Sequence, residues 1–240
     1  MLTPFLQKLA ARAQLADDDH MRLRALPAQE ARIGSRDVVV QEGERVSRSI
    51  VLIEGFAARL KSLSDGERQI VSLYVPGDII DFHSVILKTT DHSVAAMGSA
   101  RVAFVPHDAL LAASEASASI ARALWCDTLV DAAITREWLL NVGRRDAYAR
   151  MAHLFCELAL RLQAVGLYRD GRFPLPLTQA ELADTTGLTP VHVNRTLQRL
   201  RSDGLVSTRG SDLHIHDWKR LCAAGGFDPT YLYLSDEHRA

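Results

Sequence analysis

The chain has 240 residues, of which 48% are hydrophobic, and a formal net charge of −1. This is enough apolar material for two cores, and no apolar run reaches the roughly 18 residues that span a bilayer, so a membrane protein is excluded. Because the N-terminal stretch lacks the apolar core of a signal peptide, we expect a cytoplasmic protein. Cys126, Cys156 and Cys222 form no CxxC pair, which predicts buried thiols rather than a disulfide framework or a cysteine-built metal site.

The first half of the chain predicts a helix followed by a β-rich domain. Leucines recur among polar residues from Thr3 to Leu26, as on an amphipathic helix, and the pattern changes near Ile33. Short runs rich in β-branched residues then alternate with glycine turns. These runs predict strands at residues 38–40, 50–53, 57–63, 69–74, 93–97 and 102–105. Many short, evenly spaced strands are typical of a roll or barrel that can enclose a small ligand.

A long helix is predicted from about residue 117 to residue 141. One stripe of this helix carries four apolar residues and two aspartates, namely Ile120, Leu124, Ile134 and Trp138 with Asp127 and Asp131. Such a stripe fits either a seam against a second copy of the chain or packing against the roll within one chain. Aspartates weaken a coiled-coil seam, so the pattern by itself leaves both alternatives open.

Two short helices joined by a glycine turn are predicted further along the chain. Thr178 and Glu181 have the spacing of a capping box, which predicts a helix start. Gly187 is expected to end this helix, because glycine tolerates positive φ. Thr189 followed by Pro190 predicts the start of a second helix, where the missing N–H of proline costs nothing.

The second of these helices has a buried stripe and a polar outer face. Val193, Leu197 and Leu200 recur at helical spacing and are expected to face the core. Gly204 is expected to follow the end of the helix, and residues 205–216 predict a β-hairpin. The order of helix, turn, helix and wing is typical of DNA-binding domains, whereas a plain αα-hairpin requires none of it.

Charge is unevenly distributed along the chain. Residues 144–209 contain ten Lys and Arg against six Asp and Glu, a net charge of +4, whereas residues 1–143 carry −3 and residues 210–240 carry −2. Because the positive segment contains the predicted helix pair, it favours duplex DNA as the partner. One helix-turn-helix reads only a half-site, so a second copy of the chain is expected, and this favours the seam interpretation of the long helix.

These motifs resemble the Crp/Fnr family of bacterial transcription regulators over nearly the whole chain. The resemblance lies in Gln41-Glu42-Gly43, Pro76-Gly77-Asp78, and residues 140–145, 178–183 and 189–204. It implies an α+β fold with an N-terminal jelly roll similar to cyclic-nucleotide-binding domains over residues 1–116. A dimerisation helix over residues 117–143 and a C-terminal winged helix-turn-helix domain over residues 144–240 are implied to follow. The tail at residues 226–232 is implied to pack as a C-terminal extension.

The resemblance also assigns residues to DNA. The base-reading face falls on Pro190, Val191, Asn194 and Arg195, and phosphate contacts fall on Thr178, Gln179, Thr189 and His192. Asn194 suits either an adenine edge or a phosphate, and Arg199, one helical turn beyond Arg195, is expected to contact a phosphate. Arg195 keeps the family residue, and a bidentate arginine on guanine is the commonest specific major-groove contact. Val191 stands where many members have a glutamate that accepts a hydrogen bond from cytosine. Because valine offers only apolar contact, for instance to a thymine methyl, the operator is expected to differ from the usual palindrome.

The effector is not identified by the sequence. By resemblance, the candidate effector pocket contains Phe82, His92, Ser93 and Thr135. Phe82 and His92 replace a glutamate and an arginine of cyclic-nucleotide-binding relatives. Since a neutral imidazole cannot replace a guanidinium on phosphate, cyclic AMP is not expected.

A small organic effector, or none, is the favoured interpretation of the roll. Haem bound through His83 or His92 is the weaker alternative. The cysteine cluster of iron–sulfur relatives does not occur in the sequence, so no such cluster is expected, and no metal site is predicted.

The sequence therefore predicts a homodimer that binds double-stranded DNA at a palindromic operator, and that contacts RNA polymerase if it is an activator. The alternative is a small-molecule sensor whose helix pair is a protein-interaction surface. An enzyme is not expected, because the sequence contains no nucleophile-elbow, P-loop or HExxH spacing.

Overall fold

The computed structural model describes residues 2–11 and 13–234. The chain divides into two compact units, residues 1–60 with 73–132 and residues 61–72 with 133–240. The elements up to residue 116 are α1 (Thr3–Ala10), α2 (Asp17–Arg24), β1 (Gln29–Ile33), β2 (Val38–Val40), β3 (Arg48–Ser62), β4 (Arg68–Tyr74), β5 (Ile79–Ile80), α3 (Ser84–Leu87), β6 (Ser93–Pro106) and α4 (His107–Ala116). A long helix, α5 (Ala118–Arg144), follows.

The remaining elements belong to the second unit. They are α6 (Ala147–Gln163), β7 (Arg172–Pro174), α7 (Gln179–Thr186), α8 (Pro190–Ser202), β8 (Val206–Arg209), β9 (Asp212–Ile215), α9 (Trp218–Gly225) and a 3-10 helix (Pro229–Leu232). Among the described residues no helix is both long and apolar enough to cross a membrane.

The β-rich domain is an antiparallel sheet with strand order β1-β6-β3-β4, in which β2 pairs with β6 and β5 with β3. The runs predicted as separate strands at 50–53 and 57–63 form one strand, β3, and those at 93–97 and 102–105 form β6. The reason lies at Gly55, where the β3–β6 register shifts and φ is +82°. A β-bulge absorbs the turn signal there without ending the strand. Likewise, the single helix predicted over residues 3–26 is two helices, α1 and α2.

The predicted stripe of α5 packs within the chain. Ile120 and Leu124 are 0% and 1% exposed and belong to the core that also contains residues of α1 and α2. Ile134 and Trp138 are 5% and 6% exposed. The prediction that these four residues form a seam with a second copy is therefore wrong, because the chain itself buries them.

Ion pairs explain the aspartates on this stripe. Lys8 Nζ lies 2.7 Å from both Asp78 Oδ1 and Asp127 Oδ1, and Arg59 Nη1 lies 3.1 Å from Asp131 Oδ2. The buried carboxylate of Asp127 needs such a partner, since an unpaired charge in an apolar interior is costly, whereas Asp131 is half-buried.

A buried glutamate organises the core of the second unit. The Trp138 indole N–H donates to Glu157 Oε2 at 3.0 Å, Tyr231 donates its hydroxyl to the same oxygen at 2.8 Å, and Arg161 Nη1 lies 3.0 Å from Oε1. Burial raises the pKa of Glu157, while the Arg161 guanidinium opposes this shift. The contact from Tyr231 attaches the C-terminal 3-10 helix to α6.

Candidate nucleic-acid interface

The first helix of the pair begins and ends as its sequence predicts. Thr178 Oγ1 accepts from the Glu181 N–H at 3.2 Å, and Glu181 Oε2 accepts from the Thr178 N–H at 2.7 Å. This reciprocal pair is the capping box, which satisfies donors that a helix start leaves unpaired. Gly187 ends α7 with a φ of +62°, a left-handed conformation that glycine adopts without steric cost.

The second helix begins at the predicted proline. Thr189 Oγ1 accepts from the His192 N–H at 3.3 Å, with Pro190 in the first helical turn. Val193, Leu197 and Leu200 are at most 5% exposed, as the predicted stripe requires. Gly204 follows the helix with a φ of +70°.

Residues assigned to DNA by resemblance lie mainly on the solvent-facing side of this helix pair. Exposed members are Thr178, Gln179, Thr189, Pro190, Val191, His192, Arg195 and Arg199, whereas Asn194 is half-buried. Val191, the second residue of α8, has 63% of its surface exposed although it is apolar. The surface thus combines cationic, amide and hydroxyl groups with a single exposed valine at the start of α8.

Two contacts order polar side chains on this surface. Asn194 Nδ2 donates to Gln179 Oε1 at 3.2 Å, which joins α8 to the first turn of α7. The Arg199 guanidinium lies 4.5 Å from the centre of the Tyr148 ring, and Tyr148 donates its hydroxyl to Asp203 Oδ2 at 2.6 Å. Partial burial, assisted by the bond to Asp203, raises the pKa of Tyr148 to about 12. The exposed Arg199 is therefore restrained by a cation–π contact with Tyr148.

A three-stranded sheet of order β7-β9-β8 forms the wing. The predicted hairpin is present as β8 and β9, and β7 is a third strand that its short run, Arg172–Pro174, did not reveal. Arg201 Nη2 donates to Thr208 Oγ1 at 2.6 Å and connects the end of α8 to the wing. The winged helix-turn-helix arrangement is complete in the second unit.

The residues predicted to hold an effector are distributed over both units. Phe82 packs against the core of the first unit, and Ser93 Oγ accepts from the Glu42 N–H at 3.0 Å. His92 is 2% exposed, and both of its ring nitrogens lie next to carboxylates. Thr135 belongs to the second unit, where it lines an apolar groove of about 250 Å³ together with Ile70, Trp138 and Leu139.

The structure adds a residue that the sequence pattern did not single out, Asp81. Its Oδ1 lies 2.6 Å from His92 Nε2, and its carboxylate is buried. His83 is half-buried nearby, and burial lowers its pKa. The left-handed φ of Asp81, +59°, could not be predicted from the sequence, because aspartate is enriched in that conformation but adopts it in only a small fraction of cases.

The cysteines are only partly as predicted. Cys156 is buried, whereas Cys126 and Cys222 are partly exposed. Although far apart in sequence, Cys156 and Cys222 have their Sγ atoms 3.8 Å apart.

Comparisons with known proteins cover both parts of the chain. Residues 31–117 match the family model of the cyclic nucleotide-binding domain, and residues 149–224 match that of the Crp-like helix-turn-helix domain. The transcriptional activator protein FnrL of Cereibacter sphaeroides is 27% identical over 194 residues, 79% of this chain and 77% of FnrL. The nitrogen fixation regulation protein FixK of Azorhizobium caulinodans is 28% identical over 208 residues, 84% of this chain and 81% of FixK.

A solved structure supports the same relationship. FixK2 from Bradyrhizobium japonicum superposes with a TM-score of 0.76 and 26% identity, covering 83% of this chain and 98% of FixK2. The sheet domain, the winged helix-turn-helix domain and these relatives all indicate the same family. Its members are transcription regulators rather than enzymes. The chain belongs to the Crp/Fnr family of DNA-binding transcription regulators.

Proposed function

We propose that the protein is a homodimeric activator that reads a palindromic operator with α8 in the major groove. The observation that carries this proposal is the exposed start of α8. There, residue types that contact bases lie around the exposed Val191, and the ends of the helix are capped. A recognition helix reads base edges with its N-terminal residues, which is where these side chains lie. FnrL is named a transcriptional activator, which favours activation and hence a contact with RNA polymerase in the cytoplasm.

In this proposal the side chains divide into readers and holders. Arg195 is exposed and reads guanine, while Val191 contacts a thymine methyl. Thr178, Thr189 and His192 stand at helix N-termini, where backbone N–H groups also attract phosphate. Asn194 and Gln179, already hydrogen-bonded at 3.2 Å, present a preformed amide pair to the backbone or to a base edge.

The dimer contact is proposed on the exposed face of α5 rather than on its buried stripe. Exposed residues there repeat at alternating spacings of three and four, namely Arg122, Trp125, Leu129, Ala132, Arg136 and Leu139. Four of the six are apolar, and Trp125, Leu129 and Leu139 have 68%, 59% and 75% of their surfaces exposed. A 3.5-residue spacing of mainly apolar residues is the pattern of a helix that pairs with a second helix.

Cyclic AMP is not proposed as the effector. The position that would need a phosphate-gripping cation holds His92, which faces the carboxylates of Asp81 and Asp91 at 2.6 and 2.7 Å. An anionic phosphate brought to this place would meet two carboxylates, and like charges at such distances repel.

DNA binding is tested by selecting duplexes from a random pool with the purified protein. We expect enrichment of two inverted half-sites with centres about 34–36 Å apart, one helical turn. A pool that remains random after repeated selection would contradict sequence-specific binding.

The dimer face is tested by the double variant Trp125→Glu with Leu129→Glu, followed by sedimentation. We expect a folded monomer, because the charges lie on a surface that only a second copy covers. The matched control is Ile86→Glu with Leu87→Glu, which places the same charges on α3 at side chains that are 71% and 66% exposed. The control is expected to stay dimeric, and an unchanged dimer in the first variant would refute this face.

A further inference from the structure

We propose that Asp81, His83 and His92 bind a divalent transition-metal ion in the first unit. Each offers one ligand atom, and these three atoms lie within 4.8 Å of one another. Two imidazoles and a carboxylate suit zinc, cobalt(II) and iron(II), and leave coordination positions for water or a small ligand. This inference does not rest on DNA binding, since the metal is measured on the protein alone.

The strongest observation is the environment of His92. Its Nδ1 lies 2.7 Å from Asp91 Oδ1, its Nε2 lies 2.6 Å from Asp81 Oδ1, and the residue is 2% exposed. A neutral imidazole has only one N–H, so it satisfies only one of two carboxylates. In a neutral ring with Nδ1–H bonded to Asp91, the Nε2 lone pair would face an anionic oxygen, so this contact requires either a second proton or a cation between the two atoms. A metal ion between Nε2 and Asp81 removes this repulsion.

The same arrangement supplies the support that metal-binding histidines require. A histidine that binds a metal through one nitrogen usually donates its other N–H to a carboxylate, which fixes the ring and its tautomer. Asp91 occupies that supporting position on His92, on the side away from Asp81.

Asp81 itself has unused binding capacity. It is 4% exposed, and within the described part of the chain its Oδ2 has no hydrogen-bond partner. A buried polar atom without a partner is costly. In addition, Asp81 has a φ of +59°, a conformation that costs energy and that occurs preferentially at functional sites. A metal ion gives the second oxygen a partner.

Local charge also favours a cation. Arg59 lies 3.6 Å from Asp81 Oδ1 through Nη2 and 3.1 Å from Asp131 Oδ2 through Nη1, and its guanidinium is 5.4 Å from the Tyr74 ring centre. The carboxylates of Asp81 and Asp131 thus lie beside this guanidinium, and Asp91 adds a third anionic group next to His92.

His83 completes the set with a small adjustment. Its ring centre is 5.5 Å from that of His92, with the rings tilted by 57°. Metal–ligand distances of about 2.0–2.1 Å place the donor atoms of a tetrahedral site about 3.3 Å apart. The Asp81 and His92 donor atoms are 2.6 Å apart, closer than this value, and all three donor atoms lie within 4.8 Å of one another. Rotation of the half-buried His83 side chain brings its nitrogen to the ion.

The test is titration of the protein, without an affinity tag, with cobalt(II), followed by visible absorption and then by competition with zinc. We expect one cobalt ion per protomer, displaced by zinc. His83→Gln and His92→Gln should each weaken binding at least about tenfold, and Asp91→Asn about 10–100-fold, as for other supporting carboxylates. If His92→Gln does not fold, the variants His83→Gln, at a half-buried position, and Asp91→Asn, at an exposed position, still test the site.

Two controls address the other metal-binding side chains. His214→Gln with His216→Gln removes a pair of rings 4.2 Å apart in the wing, and Cys222→Ser removes one of two thiols 3.8 Å apart. Both controls should bind cobalt as the wild type does. The proposal is overturned if the wild type binds no cobalt at millimolar concentration, if either control abolishes binding, or if His83→Gln binds unchanged.

Discussion

The helix pair α7–α8 is fixed by residues that are close together in the sequence, whereas the long helix α5 is held in place by residues that are far from it in the chain. The start of α7 is fixed by Thr178 and Glu181, three residues apart, and its end by Gly187. The position of α5 is set by distant partners, among them Lys8 at Asp127 and Glu157 at Trp138. Local interactions of the first kind are visible in a short window of sequence, whereas those of the second kind emerge only on folding. They also differ in strength, because the distant ones are buried.

Trp138→Ala should cause the largest loss of stability, because it leaves a cavity and removes a donor from Glu157. We expect the free energy of unfolding to fall by about 3–5 kcal/mol in urea titrations. Trp138→Phe keeps most of the ring volume and should cost about 1–3 kcal/mol for the lost hydrogen bond. Met21→Ala, at a side chain 61% exposed, is the control and should change stability by less than about 0.5 kcal/mol. Equal losses in Trp138→Ala and Met21→Ala would show that the buried contacts of Trp138 stabilise the protein no more than an exposed side chain does.

Stability should also depend on pH through His153, a buried residue of α6 whose Nε2 lies 3.0 Å from the Tyr231 hydroxyl, 78 residues further along the chain. Burial, assisted by the Arg145 guanidinium, lowers the pKa of His153 from 6.5 to about 4. The unfolded chain therefore binds the proton first, and stability is lost as pH falls from 6.5 towards 4, by an amount on the order of 3 kcal/mol. His153→Gln should flatten this part of the profile, whereas His20→Gln should not. An unchanged slope in His153→Gln would show that other groups cause the acid sensitivity.

Arg195→Ala and Arg199→Ala should distinguish base reading from phosphate holding within the helix pair. We expect Arg195→Ala to cost about 1–3 kcal/mol on the selected operator and to relax the preference at one base pair per half-site. Arg199→Ala should weaken binding to all sequences alike and reduce the salt slope by about one. Fluorescence anisotropy on operator and random duplexes measures both effects. Equal loss on both duplexes for Arg195→Ala would assign that residue to phosphate.

Thr178→Ala should have the smallest effect, because it removes a single cap at the surface. The expected loss of unfolding free energy is about 1 kcal/mol, from a capping range of about 0.5–2 kcal/mol. Thr178→Ser keeps the hydroxyl and should restore most of it. A loss as large as that of Trp138→Ala would mean that the local and distant contacts do not differ in strength.

The same difference explains how much could be predicted from the sequence. The capping box, Gly187, Pro190 and the buried stripe of α8 are short-range patterns, and the structure contains all of them. For α5, periodicity identified an apolar stripe but not what covers it. Ile134 and Trp138 are buried by their own chain, so the exposed face with Trp125 and Leu129 was missed.

The candidate metal site was missed for a related reason. His83 and His92 are evident as candidate ligands, but no sequence pattern indicates that Asp81 contacts His92, eleven residues further on, at 2.6 Å. The turn at Asp81 departs from the usual preference for glycine at positive φ. Its role follows only from the pairing that brings residues 81 and 92 together.

Sedimentation of the protein with a labelled duplex carrying the selected operator tests the central proposal most directly. We predict two protomers on the intact inverted repeat, and a loss of affinity of at least about tenfold when one half-site is scrambled. One protomer per duplex, with equal affinity for the intact and the half-scrambled site, would contradict a dimer that reads a palindrome.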